Sequence, residues 1–205
     1  MTLEKDQDYP ALRHVGGIDV TLSYMSSSDA DAVLQFAKGL EVHDLLFLRR
    51  NITRLDVIED WLRDIEAGDA LTILAKHDGR VIGYGTIHRD SLSWSAHVAE
   101  LRVLVSGDFR GKGLGRLLTQ EAFKAALRSG IEKMVARMTL DQKGAIATFE
   151  SLGFRPEALL KDHVKDRDGA VHDLVMMSHR VADFQRTLES YGVAEAFEEE
   201  AGPGA

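Results

Sequence analysis

The sequence predicts one α/β (α+β) domain: a mixed sheet with helices on both faces. Three observations carry this. Strand-like runs and amphipathic helical stripes follow one another in the order β-α-α-β-β-β-α-β-α-β-β. Asp78-Gly79 lies between two short apolar runs, a strong hairpin signal. A glycine-rich segment at 110–115 joins a strand directly to a helix. The 205 residues, 44% of them apolar, suit a single domain with a buried core.

Residues 1–17 are polar and read as an irregular segment, with Gly16-Gly17 as a break before the domain proper, which is expected to span 18–180. In 19–24, Val20 and Leu22 alternate with polar residues, a short strand. Ser26, Ser27 and Ser28 offer N-caps to a helix whose Val33, Phe36, Ala37 and Leu40 share one face. Leu55, Ile58, Leu62 and Ile65 mark a second helix that stops near Gly68. Strands follow at 71–77, 81–89 and 97–105. The next helix shows its stripe in Leu114, Leu117, Leu118, Ala122 and Ala125. A strand at 131–138, a helix at 143–152 and strands at 159–164 and 171–177 complete the domain. Residues 181–205 read as a C-terminal helix and an acidic tail.

The net charge of −8 is uneven, because Glu195, Glu198, Glu199 and Glu200 crowd the last eleven residues. This balance argues against nucleic-acid binding, which relies on basic surface. The apolar runs are too short to cross a bilayer, and no secretory leader is visible, so no membrane association and a cytoplasmic location are expected. There is no cysteine, which removes disulfides, thiolate metal sites and a cysteine nucleophile. The eight histidines show no metal-binding spacing, and no metal is expected.

Chemistry concentrates between residues 100 and 154. The segment Arg110-Gly111-Lys112-Gly113-Leu114-Gly115-Arg116 opens a helix. Unpaired amides at a helix N-terminus point outward, and the helix dipole favours an anion there. Glycine lets backbone approach that anion, and Arg110, Lys112 and Arg116 add positive charge. This is a phosphate cradle in physical terms. Gly-Lys-Ser/Thr is absent, and Arg116 stands where a dinucleotide fingerprint needs its third glycine.

What fits is Arg110-x-x-Gly113-x-Gly115, which resembles the diphosphate-binding loop of the GNAT acyltransferase superfamily. Downstream, Ala145-Ile146-Ala147-Thr148-Phe149-Glu150-Ser151-Leu152-Gly153-Phe154 is similar to that family's second signature. The resemblance implies a GNAT-like, mostly antiparallel sheet and transfer of an acyl group, most simply acetyl, from acyl-CoA to a primary amine by direct attack on the thioester. The acceptor is left open between a small amine, an amino acid and a protein amine, and a homodimer is compatible with the family. The resemblance further implies that the backbone of Val103, Leu104 and Val105 holds the pantetheine arm. The amides from Gly111 through Lys112, Gly113, Leu114 and Gly115 to Arg116 would hold the diphosphate, with Gln142 near the pantetheine or adenosine side.

Phe149 departs from the pattern, standing where many members have a tyrosine that protonates the departing thiolate. It reads as a core residue that also lines the thioester pocket. The missing hydroxyl keeps a CoA-binding sensor as the alternative function. Glu100 is the candidate general base, although it shares a strand face with Arg102 and reads equally as that residue's ion-pair partner. His88 and His97, on neighbouring strands, read as ordinary sheet histidines, with a place facing the acceptor cleft as the alternative. The resemblance places Leu46-Phe47-Leu48-Arg49-Arg50, between the first two helices, in the part that shapes the acceptor site, its apolar and cationic mixture suiting an apolar or carboxylated acceptor, and the segment reads equally as helix–loop packing.

Overall fold

The computed structural model describes residues 3–183, other than 6, 46, 47, 49 and 167. The expected C-terminal helix beyond 183, the acidic tail, and Leu46, Phe47 and Arg49 lie outside the described residues.

The chain begins the sheet earlier than expected. Strands β1 (Ala11–Val15) and β2 (Ile18–Tyr24) pair antiparallel across Gly16 and Gly17. Both glycines have positive φ, 57° and 79°, as a two-residue primed turn requires. The glycine pair is therefore a hairpin turn, and part of the segment read as irregular is an edge strand. Its outward Leu12 is 67% exposed while the smaller Ala11 faces in, which hides the alternation in the sequence.

Beyond a single 3₁₀ turn come α1 (Ala30–Lys38), the short α2 (Val42–Leu45) and α3 (Leu55–Glu66). Strands β3 (Ala70–His77) and β4 (Arg80–His88) form the hairpin expected at Asp78-Gly79, and β5 (Val98–Val105) pairs antiparallel with β4. Helix α4 (Leu114–Arg128) follows the glycine loop, then β6 (Lys133–Thr139), α5 (Lys143–Ser151), β7 (Arg155–Lys165) and β8 (Val171–Arg180). Strand β7 starts four residues before its expected onset. Pro156 lacks a ladder donor, but β7 is an edge strand with a bulge at that point, where proline is tolerated.

The eight strands run in the order β1-β2-β3-β4-β5-β6-β8-β7, and every neighbouring pair is antiparallel except β5–β6. Burial on both faces gives two cores. On one face Leu114, Leu118, Ala122 and Phe123 of α4 meet Ile73, Ile87 and Leu101, continuing to Phe149 and Phe154. On the other, Val33 and Phe36 of α1 and Ile58, Trp61 and Leu62 of α3 cover Leu74 and Tyr84. Helix α4 sits close because Gly85 stands beneath it: a Cβ there would lie 3.1 Å from the Leu118 carbonyl oxygen. No helix among the described residues is long and apolar enough to cross a membrane.

Candidate active site

The parallel pairing of β5 with β6 stops early. Only Val98↔Lys133, Ala99↔Met134 and Glu100↔Val135 are in register. Beyond Glu100, β5 stays on β4 as far as Gly83↔Val105, and β6 stays on β8 as far as Thr139↔Leu174. Residues 101–105 and 136–139 thus face one another across a wedge-shaped opening with Glu100 at its vertex. Val103, Leu104 and Val105 form one wall, and alternate backbone groups of such a wall point into the gap.

The glycine loop lies at the open end of this wall. A 3₁₀ turn over Gly107–Phe109 leads into it, and Gly113 caps α4 with a φ of 84°. Leu117 donates an early helical hydrogen bond, to the Gly113 carbonyl at 3.0 Å. The preceding amides of Leu114, Gly115 and Arg116 are the unpaired donors of a helix start. Gly111, Lys112 and Gly113 are exposed in front of them. The β1–β2 turn supports the loop from behind: a Cβ on Gly16 would fall 2.4 Å from the Lys112 Cβ, and one on Gly113 would fall 3.4 Å from Val15.

The three cations of the loop are deployed differently. Arg110 is tied up, with its Nη2 2.5 Å from the Asp44 carboxylate on α2 and its Nε donating to the Val105 carbonyl at 3.2 Å. It fastens α2 to the end of β5 rather than standing as free charge. Lys112 lies over the Phe109 ring, 5.1 Å from its centroid, and Arg116 is exposed. Gln142 precedes α5, and its side-chain oxygen accepts the Thr139 amide at 3.2 Å, closing off the end of β6. Phe149 is 7% exposed, edge-on to Phe154 at 4.8 Å, and belongs to the core.

A cleft opens on the α1/α3 side of the vertex. Its inner part is lined by Leu48, Ile52, Trp61, Tyr84, Thr86 and Arg102, and its outer, polar part by Asp69, Arg89, Asp90, Ser95 and Arg137. Arg50, Asp64, His88 and Glu100 line both. Glu100 Oε1 accepts from Arg102 Nε at 2.9 Å and Nη2 at 2.7 Å, and Oε2 stands 3.8 Å from Arg137 Nη1. Glu100 is thus the ion-pair partner of Arg102 and also lines the cleft. Asp64 faces Arg50 at 2.9 Å and His88 at 3.6 Å. Burial pushes the Tyr84 phenol up to about 12, with the Arg102 charge pulling the other way, so it is a protonated donor at neutral pH.

His88 thus lines the cleft, whereas His97 is exposed just before β5. Of the segment expected to shape the acceptor site, Leu48 and Arg50 do reach the cleft. Sequence reasoning missed Trp61, Asp64, Tyr84, Thr86, Arg89 and Arg137. A signal was present for two of them: Tyr84 and Thr86 sit two apart in the stretch 81–87, which is buried throughout and otherwise apolar, so both polar tips face one side.

A sheet splayed beside a glycine-opened helix, with a polar cleft behind the vertex, defines an acyl-CoA-dependent N-acyltransferase, and comparison with known proteins agrees. The model of the acetyltransferase (GNAT) family matches residues 39–154, more than half of the chain, and the chain belongs to that family. It is 28% identical over 134 residues to the N-alpha-acetyltransferase MAK3 of Arabidopsis thaliana, covering 62% of this chain and 67% of that one. RimJ of Mycobacterium smegmatis, solved with CoA-disulfide, superposes with a TM-score of 0.71 at 19% identity, covering 90% of this chain and 96% of that one. A spermidine N-acetyltransferase of Vibrio cholerae, solved with CoA and spermine, gives a TM-score of 0.68 at 16% identity, with 81% and 98% covered. At such identities these two structures speak for the fold alone.

Proposed function

We propose that this chain transfers an acetyl group from acetyl-CoA to a primary amine by direct attack. The observation that carries the reading is the wedge between β5 and β6, which connects the α4 N-terminus on one face of the sheet to the Glu100 cleft on the other. The chain's own groups fit coenzyme A. The edge of Val103, Leu104 and Val105 offers strand-like hydrogen bonds to a pantetheine amide pair. The amides of Gly111 through Arg116 offer donors to a diphosphate, with Lys112 and Arg116 supplying charge beside them. Gln142 keeps its amide NH₂ for the adenosine side or the arm.

In the transfer, the amine nitrogen forms a bond to the thioester carbonyl carbon, the C–S bond breaks, and the electron pair leaves on sulfur. Glu100 takes the ammonium proton before attack, directly or through a water. With Phe149 in place of a tyrosine, the thiolate departs unassisted, which the ordinary thiol pKa of about 8.5 permits, or takes its proton from water or from another donor such as Tyr84.

Calorimetric titration with acetyl-CoA, against dephospho-CoA and ATP, tests the first half of this reading. Saturable binding of acetyl-CoA, much tighter than ATP, is expected. No binding by folded protein would reduce the glycine loop to a turn. Release of free CoA on adding an amine separates an enzyme from a CoA-binding sensor.

A further inference from the structure

The cleft is lined by four arginines, and three of them have carboxylate neighbours. Arg50 meets Asp64 at 2.9 Å, Arg102 meets Glu100 at 2.7 Å, and Arg137 stands 3.8 Å from the second oxygen of Glu100. Arg89 forms no ion pair among the described residues. It follows β4 directly, is only 4% exposed, and is anchored by its amide, which donates to the Asp69 carbonyl at 2.9 Å. Its Nε and Nη2 are covered by protein and donate to nothing among the described residues, so a ligand reaches them when the side chain turns toward the cleft that it lines.

Those two nitrogens are the informative pair. Their N–H bonds run parallel along one edge of the guanidinium, the edge that a carboxylate grips with both oxygens. Arg102 uses the same edge on Glu100. Arginine does not escape burial by losing its proton, so a buried, unmatched guanidinium is costly until an anion meets it. The nearby acids are mostly engaged: Asp64 with Arg50 and His88, Glu100 with Arg102 and Arg137, and Asp90 with the Leu92 amide at 3.1 Å. Asp69 lines the same outer cleft, so a ligand with two or more negative charges is disfavoured there.

Resting on the acetyl-transfer reading above, we propose that the acceptor is an amine that carries one carboxylate, and that Arg89 is the specificity residue that binds it. Arg89 follows His88, whose register partner is Glu100. A ligand anchored on Arg89 therefore extends toward the vertex, where its amine meets Glu100 and the thioester. The carboxylate belongs either to a free amino acid or to an acidic side chain close behind the N-terminus of a peptide.

The test measures kcat/KM for paired acceptors that differ only in charge. One arm takes amino acids from glycine to 6-aminohexanoate, each against its carboxamide. The other takes short peptides with glutamate behind the N-terminal residue, each against glutamine. CoA release is read with a thiol reagent, and because the chain has no cysteine the protein adds no background. In the unaltered enzyme at least one acid is expected to exceed its amide by about tenfold or more, the size of one charge-assisted hydrogen-bonded contact. The arm in which this occurs identifies the source. Arg89→Gln should abolish the preference through KM while leaving acetyl-CoA affinity unchanged, and Arg89→Lys should restore part of it.

Amides used as well as acids by the unaltered enzyme, or a preference that survives in a folded Arg89→Gln, would overturn the proposal. The first of these needs no variant, so misfolding of a substituted chain leaves the test intact. Acetyl-CoA binding with no acid accepted also overturns the carboxylate site alone. Absence of acetyl-CoA binding refutes the underlying transferase reading instead.

Discussion

Gly16 lies outside every group expected to touch coenzyme A, yet its replacement by alanine should weaken CoA binding. The new Cβ would lie 2.4 Å from the Lys112 Cβ and 2.5 Å from the Lys112 carbonyl oxygen, against a normal contact of about 3.5 Å. One of these atoms is backbone, so a rotamer change does not relieve the clash. Either the hairpin or the glycine loop must move by about an ångström. Overpacking of this kind costs about 1–3 kcal/mol. If the strain is relieved by displacing the loop, binding must reverse that displacement, and Kd rises about fivefold to a hundredfold. Gly17→Ala is the control. Gly17 shares the left-handed turn, with φ of 79° against 57°, but a Cβ there meets nothing within 4 Å. Both variants bear the cost of a left-handed alanine, about 1–2 kcal/mol each, and only Gly16→Ala pushes on Lys112. Calorimetry with CoA on both proteins, checked by thermal melts, isolates the difference. Equal CoA affinities for the two variants would refute the idea that the β1–β2 turn buttresses the loop.

Three further outcomes are expected. Glu100→Gln should lower kcat by about a hundredfold or more, as loss of a general base does, with acetyl-CoA affinity within about twofold of the parent; a rate within a few-fold would assign the proton to water or another group. Phe149→Tyr places a phenol beside Phe154 in the core and should lower stability by about 1–2 kcal/mol without raising kcat; a faster enzyme would mean that the hydroxyl reaches the departing sulfur. Tyr84 holds its proton more tightly in the folded than in the unfolded chain, about 12 against 10.0. Stability from this group is therefore intact below pH 10 and lost as pH rises toward 12, by about 2–3 kcal/mol at full titration; denaturant melts of Tyr84→Phe should be flatter than the parent across that window, and parallel curves would contradict the assignment.

The sequence exposed the parts of the fold that are local. Asp78-Gly79 and the stripes of α1, α3 and α4 announce themselves because a turn or helix face is set by residues a few positions apart. The Gly16-Gly17 hairpin used the same turn chemistry but was masked by an edge strand whose leucine points outward. The glycine loop was legible for the same reason of locality, since its pattern lies within seven consecutive residues. The cleft was not. Asp64, His88, Glu100 and Arg137 come from α3, β4, β5 and β6, and only the sheet order brings them together. Ion pairing was equally hidden. Arg110 looked like phosphate-binding charge, and its claim by Asp44, 66 positions earlier, is a tertiary event. Arg89 gave no signal at all, because what distinguishes it is the lack of a side-chain ion-pair partner among the described residues.

The short β5–β6 ladder has a mechanical corollary. With only three residue pairs in register, the five strands β1–β5 and the three strands β6, β8 and β7 are joined as two leaves along a brief seam. A molecule that hydrogen-bonds along Val103, Leu104 and Val105 while resting against β6 extends that seam and stitches the leaves together. Co-substrate loading should then slow the exchange of every second amide on the outer half of β5 from minutes toward hours. The enzyme would be at its stiffest when it holds the thioester, and would loosen each time CoA departs.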